Sequence, residues 1–213
     1  MNWMKKVAVA LVCLLPLGLQ AAKVDTLQVK SAAMNKSIEV VVVSPDVAAT
    51  KACPVIYLLH GYGGNARTWV GIKPDLSKIA DEKGIFFVCP DGKNTWYWDS
   101  PLNADVRYET FISDELVKYV DSHYKTVADR KGRAITGLSM GGHGAMWNGL
   151  RHSDVFSAAG STSGGVDIRP FPKNWEMSVQ IGEKAKYPEN WEKYTVINLV
   201  PTLRKDQIAL IFD

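Results

Sequence analysis

Ala134-Ile135-Thr136-Gly137-Leu138-Ser139-Met140-Gly141-Gly142-His143-Gly144-Ala145 decides the fold. A short apolar strand breaks at glycine, presents one serine, and continues as a helix predicted over 140–151. A bare G-x-S-x-G pattern is weak, and a glycine-rich helix start with a capping serine would also match it. The strand before it and the helix after it make it specific, because a sharp strand-to-helix turn needs small flanking residues and throws the serine hydroxyl outward. The helix N-terminus beneath Ser139 supplies free N–H groups and a positive dipole end for developing negative charge. Ser139 is therefore the candidate nucleophile.

The same arrangement recurs upstream. Val55–Leu59 is a continuous apolar run, as expected for a strand covered on both faces, and His60-Gly61-Tyr62-Gly63-Gly64 follows it directly. Glycines there free the backbone to aim an N–H at an oxyanion. Paired with the serine turn, this predicts an oxyanion hole made by the backbone amides of Tyr62 and Met140. A third strand, Ile85–Cys89, leads to Asn94-Thr95-Trp96-Tyr97-Trp98-Asp99. Trp96, Tyr97 and Trp98 are expected to line the acyl or sugar cleft, since aromatic faces suit both kinds of ring.

Further strands are predicted around Thr26–Val29 and over Ile38–Val43, Phe156–Ser161 and Ile208–Phe212, with helices over 74–84 and 108–124. Residues 166–192 read as an irregular insertion or cap. Strands alternating with helices imply an α/β fold: a mostly parallel, twisted sheet with helices on both faces and chemistry at the carboxyl ends of its strands. Without repeat or linker, residues 23–213 are expected to form one domain.

Of the 213 residues, 46% are hydrophobic and 22% charged, which excludes a disordered or fibrous chain. Lys5-Lys6, the apolar run Val7–Leu19 and Gln20-Ala21-Ala22 read as a secretory signal peptide over 1–22, predicting a soluble periplasmic or secreted product without stable membrane insertion. The run is too short, and too interrupted by Pro16 and Gly18, to cross a bilayer. The net charge is +3, and losing Lys5 and Lys6 leaves +1, so nothing favours a nucleic-acid partner. Cys53 and Cys89 flank different strand ends, predicting two free, buried thiols and no metal site. With neither a G-x-G-x-x-G fingerprint nor a phosphate-loop lysine, no nucleotide or other cofactor is expected.

The chain resembles the esterase branch of the α/β-hydrolase fold that includes S-formylglutathione hydrolases, feruloyl and acetyl xylan esterases and mycolyltransferases. The resemblance rests on residues 57–65, 108–124, 135–145 and 151–165. It implies a serine hydrolase working through an acyl-enzyme on small-molecule or polysaccharide-linked esters, such as acetyl or feruloyl esters. Acyl transfer to a sugar hydroxyl, or a catalytically dead binding module, are the alternatives.

The departure from that pattern lies in the base. Serine needs one, and this fold supplies an acid and then a histidine after the nucleophile. The four histidines, His60, His123, His143 and His152, all sit at positions with structural readings, and His143 should point away from the tip of the turn. The resemblance places the acid and histidine beyond Asp213. A C-terminally incomplete domain, lacking its last strand and covering helix, is therefore expected, with little esterase activity of its own.

Overall fold

A computed structural model describes residues 22–213; the signal segment expected over 1–22 lies, but for Ala22, outside them. Two nine-residue strands, β1 (Lys23–Ser31) and β2 (Lys36–Ser44), form an antiparallel hairpin. Five shorter strands follow: β3 (Val55–Leu59), β4 (Phe86–Pro90), β5 (Arg133–Gly137), β6 (Ala158–Ser161) and β7 (Ala209–Phe212). They assemble in the order β1-β2-β4-β3-β5-β6-β7. β2 runs antiparallel to β4, and every pairing from β4 to β7 is parallel. The mixed α/β architecture with a mostly parallel sheet is as expected.

Period-two alternation divides the strands between two cores. Val40, Val42, Tyr57, Leu59, Phe86 and Val88 face one side; Val41, Val43, Leu58, Phe87 and Cys89 face the other. On the second side lie the short α1 (Thr68–Ile72) and α2 (Leu76–Lys83), the latter closed by Gly84 at φ +63°. On the first lie α5 (Met140–Arg151) and a helical stretch in three parts: α3 (Tyr108–Thr110), a π turn (Phe111–Glu115) and α4 (Leu116–His123). Among the described residues, Cys53 and Cys89 are free and buried, one in each core.

The region 166–192 is less irregular than its sequence suggests. It holds α6 (Met177–Ile181) and α7 (Pro188–Lys193), the second opened by a proline at its first helical position. Trp191, fully buried, donates its indole N–H to the Gly182 carbonyl and ties the two together. At the far edge β7 carries Ile211 and Phe212, both more than two-thirds exposed. Beside them a hollow of about 280 Å³ exposes the β5–β6–β7 face through Ala134, Thr136 and Ala158. It is bare sheet, and none of Ser139, Tyr62 and Met140 lines it.

Candidate active site

Two strand ends meet at the site. β5 ends at Gly137, and Ser139 takes φ +55°, ψ −116°, a conformation few non-glycine residues adopt and one that needs surrounding support. Support comes from three backbone bonds: Leu138 N–H to the Leu59 carbonyl (3.2 Å), Ser139 N–H to Thr162 (2.8 Å) and Gly141 N–H to Leu138 (2.8 Å). The turn also presses on the end of β3, where a methyl group on Gly141 would overlap the Leu59 carbonyl. Ser139 itself is exposed, at the N-terminus of α5.

The β3 turn lies against it. A Cβ on Gly61 would stand 3.3 Å from the Leu138 oxygen and 3.6 Å from Ser139 Cβ. Gly64 N–H bonds the Gly61 carbonyl at 3.0 Å, and Gly63, third in the turn, has φ +75°, the geometry of a type II turn. His60 pins the turn from below: Nδ1 donates to the Gly61 carbonyl (2.8 Å) and Nε2 accepts from Gly92 N–H (2.9 Å). Tyr62 and Met140 both border a cleft of about 210 Å³ together with Ser139 and Trp96. Four of the six expected site residues are thereby brought together.

Tyr97 and Trp98 are not among them. Both are fully buried behind the cleft. Tyr97 donates its hydroxyl to the His60 carbonyl (3.0 Å), its ring filling space left by Gly92 and Gly144. Trp98 stacks on Trp96 at 5.6 Å and meets the His143 and Tyr194 rings edge-on. They are supports for the wall, and only Trp96 of the three reaches the cleft. The rest of the lining went unread in the sequence: Ile168 and Met177, buried, and Phe171 and Trp175, half-exposed at the rim. All come from the 166–182 segment, whose aromatic residues were the available signal.

None of the four histidines turns a nitrogen to Ser139. His60 is committed as above. His123 bonds the Tyr119 carbonyl at the end of α4 (2.8 Å), and His152 bonds Glu109 (2.8 Å). His143 donates Nδ1–H to the Gly165 carbonyl (2.7 Å), and its buried Nε2 has no hydrogen-bond partner. Burial lowers its pKa to about 4, only partly offset by the Gly165 bond, so the ring is neutral near pH 7. Among the described residues, no three acidic, histidine or cysteine side chains cluster as a metal site, and no helix is long and apolar enough to cross a membrane.

Comparison with known proteins agrees with this geometry. The model of the family described as "Putative esterase" matches residues 31–210. An esterase of Mycobacterium tuberculosis is 31% identical over 149 residues, covering 67% of this chain and 32% of its own length. An endo-1,4-beta-xylanase/feruloyl esterase of Xylanibacter ruminicola is 34% identical over 123 residues, covering 53% of this chain and 17% of its own. The chain thus spans about a third or less of these relatives. A solved ferulic acid esterase superposes with TM-score 0.69 at 29% identity, covering 88% of this chain and 74% of that one. With a mostly parallel α/β sheet, a strained serine at the end of β5 and a family match over most of its length, the chain belongs to the esterase family of the α/β-hydrolase superfamily.

Proposed function

We propose that this protein is an exported carboxylic-ester hydrolase acting through an acyl-enzyme on Ser139. The Ser139 hydroxyl attacks the ester carbonyl, the tetrahedral oxyanion is held by the Tyr62 and Met140 amides, the alcohol leaves, and water releases the acid. One observation carries the reading: an exposed serine at positive φ, at a helix N-terminus, borders one cleft with both strand-end turns. No histidine among the described residues is bonded to the serine, so the Ser139 proton passes to a general base other than these four imidazoles. Acetyl or feruloyl esters of polysaccharides are the proposed substrates. The apolar floor of Ile168, Met177 and Trp96 suits an acyl group, and the aromatic rim suits a sugar or phenyl ring. Export rests on Lys5-Lys6 and the apolar run after them, and residues 23–213 are read as a single domain.

The test is labelling by a fluorophosphonate probe alongside turnover of p-nitrophenyl acetate and a feruloyl ester. Slow labelling confined to Ser139, abolished by Ser139→Ala, supports the proposal. Rapid turnover that survives Ser139→Ala overturns it.

A further inference from the structure

The turn after β3 is also held from the cap side. Asn94 Oδ1 accepts from the Gly63 amide at 2.9 Å, while Asn94 Nδ2 donates to Glu176 Oε2 at 3.3 Å. Glu176 follows Trp175, and the two have φ +54° and +50°, adjacent non-glycine residues in the left-handed region. The Trp175 carbonyl receives the indole N–H of Trp96 at 3.1 Å. Desolvation first, and then the Glu176 carboxylate through hydrogen bonding and charge, raise the pKa of the Tyr62 phenol. A continuous path, Gly63–Asn94–Glu176, therefore joins the turn to the cap segment beside the cleft that holds Ser139.

The bond to Gly63 has a specific mechanical role. In a type II turn the middle peptide, here Tyr62–Gly63, is related by a flip to the type I arrangement, and glycine at the third position tolerates both. The Gly61 carbonyl is already pinned by Gly64 and His60, so the Gly63 N–H is the part of the turn left to hold. Asn94 holds it.

We propose that Asn94 and Glu176 are positioning residues that lock this turn, so that the cap, through them, governs how well the Tyr62 amide meets an oxyanion. The inference rests on the reading of Ser139 and Tyr62 given above. Neither residue touches the reacting atoms. Both act one peptide away from the donor: Asn94 holds the Tyr62–Gly63 peptide, while the Tyr62 N–H belongs to the Gly61–Tyr62 peptide before it. They steady the turn on the far side of Tyr62, and misalignment of a single oxyanion donor costs up to the 10²–10³-fold seen when such a donor is removed.

The experiment uses the full chain with Asn94→Ala, Glu176→Ala and Glu176→Gln. The limiting rate and half-saturating concentration of Ser139 phosphonylation by a p-nitrophenyl phosphonate are measured, with amide hydrogen exchange across 60–66. Asn94→Ala should slow the limiting rate about tenfold with unchanged half-saturation and faster exchange at Gly63. Glu176→Ala should lose several-fold, and Glu176→Gln, which keeps an acceptor for Asn94, should return to wild type. A wild-type rate in Asn94→Ala despite faster exchange at Gly63 overturns the positioning role alone. Absence of Ser139 labelling in the wild type overturns the nucleophile reading and this proposal with it.

Discussion

His143 Nδ1 donates to the Gly165 carbonyl at 2.7 Å, so the histidine nearest in sequence to Ser139 braces the cleft wall instead of serving the serine. Its ring stands edge-on to both Trp96 and Trp98, with centroids 5.1 Å away in each case. Burial keeps it neutral down to about pH 4.

That burial gives stability a pH dependence with a definite sign. An unfolded histidine takes a proton near pH 6.5, whereas folded His143 resists until about 4. Between those values the unfolded state binds more protons, so stability is full above pH 6.5 and declines as pH falls toward 4, by on the order of 3 kcal/mol. Urea titrations from pH 7 to 4.5 should show this decline, and His143→Gln should flatten it. Glu109 and Asp91 do not confuse the window. Burial opposes their ionisation, but His152 and Arg151 for Glu109, and the Lys93 ammonium and backbone amide for Asp91, hold both below the usual carboxylate range.

Glu109 is buried on the first core face and binds three groups of the α5 region: Trp147 Nε1 (2.7 Å), Arg151 Nε (2.7 Å) and His152 Nε2 (2.8 Å). Glu109→Ala should cost about 3 kcal/mol, because it strands a buried indole N–H and a guanidinium together. Chemical denaturation would read the loss. Glu109→Gln, which keeps an acceptor, should lose less.

Gly141→Ala should be poorly tolerated. The added methyl overlaps the Leu59 carbonyl, so the serine turn must separate from β3. A loss of about 3 kcal/mol, the upper end of overpacking costs, and slower phosphonylation of Ser139 are expected together. Wild-type values for both would contradict this packing.

The aromatic run at 96–98 divides by function. Trp98→Ala should destabilise by about 4 kcal/mol, as for other fully buried large side chains, and Tyr97→Phe by about 1 kcal/mol for the lost bond to His60. Thermal melts would rank them.

What was legible in the sequence was whatever short-range pattern determines. The 140–151 helix has the expected bounds because glycine, a strained serine and a good helix run adjoin one another, and β3 likewise because an unbroken apolar run has sharp edges. The π turn at 111–115 left no trace, since Phe111, Ile112, Leu116 and Val117 suit either helical pitch. α1, α6 and α7 are five or six residues long, too short for a period to register. Tyr97 reads from sequence as a cleft residue, because the room that buries its ring is made by Gly92 and by Gly144, 47 positions downstream, and no local pattern shows it. Asn94 and Glu176 meet across 82 positions, a pairing no local pattern encodes.

The π turn has a consequence for how the hairpin and the serine helix stay in step. On one side of it Glu109 grips α5; at its other end Glu115 takes the Ser31 hydroxyl (2.6 Å) and the Ala33 amide (2.8 Å) at the hairpin tip. The wider winding sets the angle between those two carboxylates. Removing one residue from 111–115 would rewind the rod by about 100° and leave only one of its two handles in reach of its socket. A single-residue deletion there would thus uncouple the sheet's outer edge from the nucleophile's helix, though neither element loses a residue of its own.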